Sequence, residues 1–236
     1  MSLNALHCTP RFLPCNFVFE LTGLMHRQFR AHLKDLDAAF QDILYFNDTR
    51  WLSRGKSLTR FYKLLPEIIS FMEGKTPLPE LKDKAWLADL YYLVDITGHL
   101  NELNVQMQGR DQNLIQFSDM IKAFRVKLDL WTGQMSKGEL HHFPTLKKEN
   151  CSKSDCARFV PSLKNLRREF DEKFQELSKL SQEILLMSDP FSVNPSDCPP
   201  EIQLDLIDLQ NNSILKNRFA SSESLMDFWH KAGVYK

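Results

Sequence analysis

The sequence predicts an all-α fold, a bundle of about five to six helices with long connecting loops. Apolar residues recur at spacings of three and four along most of the chain, and no segment alternates apolar and polar residues as a strand does. The eleven prolines fall mainly between the periodic segments. The chain has 236 residues, which is long enough for one large core or two small ones. We expect an irregular segment at 1–18 and one all-helical domain at 19–236.

The first two predicted helices lie on either side of a basic stretch. Helical periodicity runs from Phe19 to Phe40 and again from Leu58 to Met72. Pro66 lies inside the second run, and because proline cannot donate the helical hydrogen bond we expect a kink or break near Leu65. The apolar positions are Leu21, Leu24, Met25, Phe29, Leu33, Leu36 and Phe40, then Leu58, Phe61, Tyr62, Leu65, Ile68, Ile69 and Met72.

The third and fourth helices have clear boundary signals. Asp83 can cap the third helix and Gly109 ends it. The fourth runs from Leu114 to Met135 in uninterrupted steps of three and four, a heptad-like stripe suited to antiparallel packing, and Gly138 closes it. The inward positions are Trp86, Leu87, Leu90, Tyr91, Val94, Leu100 and Leu103 in the third helix, and Leu114, Phe117, Ile121, Phe124, Leu128, Trp131 and Met135 in the fourth.

The remaining sequence predicts a loop, a long fifth helix, a connector and two short helical segments. The polar loop covers 139–160, and the fifth helix should start near Pro161 or Ser162. A proline-rich connector at 188–200 leads to helical segments at 201–219 and around Leu225–His230. The inward positions of the fifth helix are Leu163, Leu166, Phe170, Phe174, Leu177, Leu180, Ile184 and Met187.

Composition narrows the range of partners. Lys plus Arg and Asp plus Glu both total 30, so any nucleic-acid contact must come from a local basic patch. Five cysteines without a pairing pattern favour a reducing, intracellular environment. Neither a signal-peptide pattern nor an apolar stretch approaching about 18 residues is present, so we expect no membrane association.

The stretch 47–61 stands out because it contains three Arg, one Lys and one Trp between two apolar segments. Arg forms bidentate contacts with phosphate, and Trp offers a flat face on which a base can stack. The same residues also fit an ordinary helix start, with Asp48 or Thr49 as the N-cap and Trp51 as a buried anchor. In that interpretation Arg54, Lys56 and Arg60 are a solvated face.

Thr49-Arg50-Trp51-Leu52-Ser53-Arg54-Gly55-Lys56, followed by Leu58-x-x-Phe61, resembles the Arg-Trp block of hAT-superfamily transposases. The similarity is to domesticated vertebrate copies such as the BED-type zinc-finger proteins, a set that includes general transcription factor II-I repeat-domain protein 2. It runs from about residue 22 to the C-terminus. The other segments that agree in order are Met25–Phe29, Trp86–Leu90, Val94–Asn104, His142–Leu146 and Ile207–Gln210.

This resemblance implies that the chain corresponds to the all-helical insertion of an RNase H-like transposase. Transposases of this family cut DNA with three carboxylates that hold two metal ions. Two strand-borne Asp would precede the insertion, yet residues 1–21 contain no Asp, and Cys8 lacks the His expected three positions on. The third carboxylate belongs to a Cys-Glu-Gln block past the end of this sequence. We therefore expect no catalytic residue, no enzymatic activity and no cofactor. Asp89, Asp95 and Glu102 should face solvent or cap neighbouring helices.

By the same resemblance, Trp51 stacks near a flipped base and Arg50 lies close to the DNA backbone. Proximity adds Arg54, Lys56 and Arg60 as supporting charges. One hypothesis is an inactive, nuclear domain with weak DNA affinity. The other is a protein-interaction module whose exposed apolar stripe, for instance on the fifth helix, binds a partner. No small-molecule substrate is expected, and no stable oligomer, because the family's dimerisation segment lies beyond the third carboxylate.

Two His and two Cys within sixteen residues also raise the possibility of a zinc site. They are His141, His142, Cys151 and Cys156. The spacing argues against it, because adjacent His side chains rarely point at one ion and Cys-x4-Cys is wide for structural zinc. We expect no metal at these residues.

Overall fold

The computed structural model describes residues 23–43, 51–73, 75, 78–109, 113–222, 225 and 228–229. Regular structure in these ranges is helical throughout, without a strand, which confirms the all-α prediction. None of the helices described is long and apolar enough to cross a bilayer. The chain divides into two compact units, Met1–Gln112 with Met120–Asp171 (unit 1) and Asn113–Asp119 with Glu172–Lys236 (unit 2).

The described helices are more numerous than the periodicity suggests, because turns interrupt several of the apolar runs. In chain order they are α1 (Gly23–Asp35), α2 (Trp51–Lys63), α3 (Leu65–Glu73), α4 (Lys84–Met107), α5 (Leu114–Lys137), α6 (Pro144–Lys148), α7 (Lys153–Lys173), α8 (Gln175–Lys179), α9 (Ser181–Ser188), α10 (Pro200–Asn211) and α11 (Ser213–Ser221). Two 3₁₀ turns, Pro79–Lys82 and Pro195–Asp197, lie in the connections.

α4 is the central helix of unit 1. A helix buried on several faces needs neighbours on each of them, and α2 and α6 both pack against α4. Asp83 caps it as predicted, accepting a hydrogen bond from the Ala85 amide at 2.9 Å. Its buried residues are Trp86, Ala88, Leu90, Tyr91, Tyr92, Val94, Asp95, Ile96, Thr97, Leu100 and Leu103.

The predicted stripe on α5 is buried at its five central and C-terminal positions, Ile121, Phe124, Leu128, Trp131 and Met135. The helix ends in a Schellman motif. Gly138 has φ +80°, its amide donates to the Met135 carbonyl, and the Glu139 amide donates to Gln134. The break near Leu65 is also present, between α2 and α3.

Residues 139–160, expected to be a loop, contain α6 and the first two turns of α7. α7 begins at Lys153 instead of near Pro161 because Ser152 and Asp155 form a capping box. The Asp155 amide donates to Ser152 Oγ at 3.2 Å, and the Ser152 amide donates to Asp155 Oδ2 at 3.2 Å. Pro161 is accommodated inside the helix.

In unit 2 the predicted fifth helix is interrupted at Phe174 and Leu180, which separate α7, α8 and α9. Ile184 is buried, whereas Leu180 and Met187, predicted to point inward, are 42% and 48% exposed. Gln210 on α10 secures the proline-rich connector by donating to the carbonyls of Pro190 and Val193 at 2.8 and 2.7 Å. The side chain lies in the predicted Ile207–Gln210 segment, so that segment has a structural role.

Candidate nucleic-acid interface

The Arg-Trp stretch forms the start of α2. Arg50 lies outside the described residues, and the side chains of Trp51 and Arg54 do too, although their backbone forms the first turn of the helix. Of the five predicted contact residues, Lys56 is exposed and Arg60 is half-buried. The described geometry of this candidate interface is therefore that of Lys56, Arg60 and their neighbours.

Lys56 and Arg60 share one face of α2 with Lys63. Their spacing of four and then three residues places them in a row along the helix. The Arg60 guanidinium lies 4.7 Å from the centre of the Phe40 ring, and Lys63 Nζ lies 5.7 Å from it. Both approaches are cation–π contacts. Lys63 was not among the predicted residues, although its position seven residues after Lys56 would have revealed it.

The face of α2 opposite this basic row packs closely against α4. A Cβ on Gly55 would lie 2.3 Å from Asn101 Nδ2 and 3.4 Å from Thr97 Cβ, so only glycine fits without displacement. Farther along, Phe61 meets Trp86 edge to face, with ring centres 6.4 Å apart. Because this face is packed against the core, Lys56 and Lys63 on the other side are exposed, and Arg60 lies half-buried beside Phe40.

The segments Val94–Asn104 and His142–Leu146, which carry part of the resemblance, contact each other. Asp95 is 6% exposed and accepts hydrogen bonds from the Thr145 and Leu146 amides at 3.0 and 3.1 Å. The Asp95 carboxylate therefore caps the N-terminus of α6 from a neighbouring helix. Burial raises the pKa of Asp95, and these hydrogen bonds oppose the rise.

One turn after Asp95, His99 holds the same segment. Its Nε2 lies 2.7 Å from the His142 carbonyl oxygen and donates to it, because a carbonyl can only accept. The imidazole stacks on Trp131, with ring centres 4.3 Å apart. Asp95 and His99, four residues apart on one face of α4, thus hold α6 against the core. The resemblance in Val94–Asn104 and His142–Leu146 therefore includes residues that pack against each other.

The other acidic residues on α4 also have structural partners. Asp89 Oδ1 accepts a hydrogen bond from the guanidinium of Arg158 on α7, and Glu102 Oε2 lies 3.7 Å from His99 Nδ1. Burial raises the pKa of Asp89, and Arg158 opposes the rise. Within the described residues, no three His, Cys, Asp or Glu side chains are gathered so that they could hold a metal ion.

The four residues considered for zinc differ in their exposure to solvent. His141 and His142 are exposed, Cys151 is half-buried and Cys156 is fully buried. Burial raises the pKa of the Cys151 thiol to about 11 and also raises that of Cys156. Zinc binds the thiolate form, which burial disfavours at both cysteines, and the expectation of no metal at these residues stays a prediction.

Comparison with known proteins identifies the family. The FAM200/GTF2IRD2 helical domain matches residues 15–136, which is more than half of the chain. This chain belongs to the FAM200/GTF2IRD2 helical-domain family. General transcription factor II-I repeat domain-containing protein 2 of Bos taurus is 39% identical over 198 residues, and that of Mus musculus is 38% identical over 198 residues. Each alignment covers 84% of this chain and 21% of the relative, so the chain spans about a fifth of these relatives.

No solved structure matches this chain. The family match confirms the predicted relation to general transcription factor II-I repeat-domain proteins and the helical nature of the domain. The more specific assignments, to the hAT superfamily, to BED-type proteins and to an RNase H-like insertion, stay predictions.

Proposed function

We propose that this FAM200/GTF2IRD2-type helical domain is transposase-derived and catalytically inactive, and that it acts by binding DNA weakly. The contact residues are Arg50, Trp51, Arg54, Lys56 and Arg60. The relatives' names describe general transcription factor II-I repeat domain-containing proteins, which supports a nuclear location.

The observation that carries this proposal is the outward basic face of α2. Gly55 and Phe61 pack inward, whereas Lys56 and Lys63 are exposed and Arg60 is held beside Phe40. Cations in a row on one helix face can follow a phosphate backbone. The row continues from the first turn of α2, where the backbone of Trp51 begins the helix.

The expected affinity is modest. Stacking of one base contributes about 1–3 kcal/mol, and each neutralised phosphate adds a contribution that salt weakens. A handful of such contacts predicts micromolar binding at low ionic strength. The affinity should fall steeply toward physiological salt.

Fluorescence anisotropy with a labelled stem-loop DNA containing unpaired bases tests the proposal. Trp51→Ala should weaken binding about five- to 150-fold, the equivalent of about 1–3 kcal/mol, and Lys56→Gln should reduce the salt dependence. Lys122→Gln/Lys127→Gln, two exposed positions on α5, is the matched charge control. Circular dichroism must first establish that each variant folds. A folded wild type that shows no binding at low salt would end the DNA proposal.

The alternative function is a protein-interaction module without DNA binding, and the outer face of α5 favours it. Val126 and Leu130, four residues apart, are 67% and 50% exposed, on the side away from the buried stripe of the same helix. Two results together would support this function. The wild type would bind no DNA, and its binding to a protein partner or to itself would not change with salt and would be abolished by Val126→Asp/Leu130→Asp. Sedimentation velocity measures the self-association.

A further inference from the structure

The helix α1 carries a second basic row, and its segment Met25–Phe29 belongs to the resemblance but has no part in the proposed site. Arg27, Arg30 and Lys34 are all exposed and lie three and then four residues apart, so they follow one face of α1. Phe29 is fully buried and anchors the other face of the helix. The outward direction of the row therefore follows from core packing.

Asp42 connects this row to the basic face of α2. His26 Nε2 donates to Asp42 Oδ1 at 2.7 Å, and Arg30 Nε lies 3.6 Å from Asp42 Oδ2. On the α2 side, Arg60 Nη1 donates to the Asp42 carbonyl at 3.4 Å. Asp42, in the connection after α1, thus contacts groups from both helices.

Asp42 offsets only part of the positive charge. Among the described side chains of 24–43 and 55–63, six are Lys or Arg and three are Asp. The other two acids, Asp35 and Asp37, are exposed at the C-terminal end of α1. The two rows therefore keep an excess of positive charge on a chain whose formal net charge is zero.

We propose that Arg27, Arg30 and Lys34 bind the phosphodiester backbone of a DNA duplex, beside the unpaired base that Trp51 holds. This inference rests on the proposed function. Arg27 and Lys34 are separated by about 10 Å along the helix axis, which matches about three nucleotides of one strand at roughly 3.4 Å each. Arg presents a planar fork suited to phosphate, and the connection through Asp42 places the row beside α2.

The test compares Arg27→Gln/Lys34→Gln with Lys122→Gln/Lys127→Gln in the full chain. Arg30 is left unchanged because it contacts Asp42. The probe is a stem-loop DNA, and affinity is measured over a range of salt concentrations. Losing two phosphate contacts should reduce the slope of log K against log salt by about 1.8 and weaken binding about sixty-fold near 0.1 M salt. The control pair should leave the slope unchanged.

The possible outcomes distinguish the α1 contact from the proposed DNA binding through α2. If the wild type binds and Trp51→Ala weakens it, but Arg27→Gln/Lys34→Gln behaves like the control, the α1 row is not a DNA contact and the proposed function stands. No binding by the wild type removes both. If the variant loses the same affinity for an unpaired strand of equal length, or for phosphatidylserine vesicles, the duplex assignment is wrong.

Discussion

Replacing Asp95 with Ala should destabilise unit 1 substantially, because this carboxylate holds the N-terminus of α6. Asp95 is 6% exposed, and the residues whose amides it binds, Thr145 and Leu146, are also buried. Pro144 at the first position of α6 has no amide hydrogen, so the amides that Asp95 must satisfy are those of Thr145 and Leu146. Ala at position 95 would leave both donors without an acceptor.

The magnitude follows from those two donors. An unsatisfied buried donor costs about 1–3 kcal/mol, so losing the acceptor of both should cost about 2–6 kcal/mol. With an m-value of about 2 kcal/mol/M, the urea midpoint of unit 1 should fall by about 1–3 M. Trp86 and Trp131 both lie in unit 1 and report its unfolding by fluorescence.

Asp89→Ala is the matched control on the same helix. Asp89 is paired with Arg158 at a partly exposed position, with side chains 17% and 40% exposed, and a pair of this kind contributes about 1 kcal/mol or less. If Asp95→Ala lowered the urea midpoint no more than Asp89→Ala, Asp95 would not be the cap of α6. A nearly neutral Asp95→Asn would instead show that one acceptor oxygen suffices.

Three further predictions concern other contacts. His99→Ala should lower the urea midpoint of unit 1 by the equivalent of about 1–2 kcal/mol, since it removes the bond to His142 and the stacking on Trp131; no change would refute this role. Gln210→Ala should speed hydrogen exchange in residues 189–199, because two carbonyls lose their donor; unchanged exchange would contradict it. Alkylation of Cys151 should accelerate about tenfold per pH unit up to a pKa of about 11, as its thiolate fraction rises; a plateau near pH 8.5 would show an ordinary thiol.

The structure places further basic residues beside those that the sequence singled out as a candidate site. Lys56 and Arg60 were named because they lie within the Arg-Trp stretch, whereas Lys63 and the row on α1 lie outside it. Proximity in the sequence cannot show that Asp42, in the connection after α1, contacts side chains of both α1 and α2. Asp42 and Arg60 are eighteen positions apart, and only folding brings them into contact.

Local signals in the sequence determined where several helices begin and end. The Asp83 cap, the break near Leu65 and the left-handed Gly138 each act within about five residues, so their hydrogen bonds and dihedral angles can be inferred without a fold. The buried stripe of α5 was predictable for the same reason, because helical period alone places its residues on one face.

The tertiary structure decided which polar residues are structural. Asp95 binds amides fifty residues away and His99 a carbonyl forty-three residues away, so neither partner is visible in local sequence. Burial of Gly55 against Asn101, and exposure of Met187 on a helix predicted to turn it inward, likewise depend on which element packs where. The backbone hydrogen bonds of a helix join residues that are close in sequence, so local sequence predicts them. Desolvation and side-chain contacts join residues far apart in sequence, so they depend on how the whole chain packs.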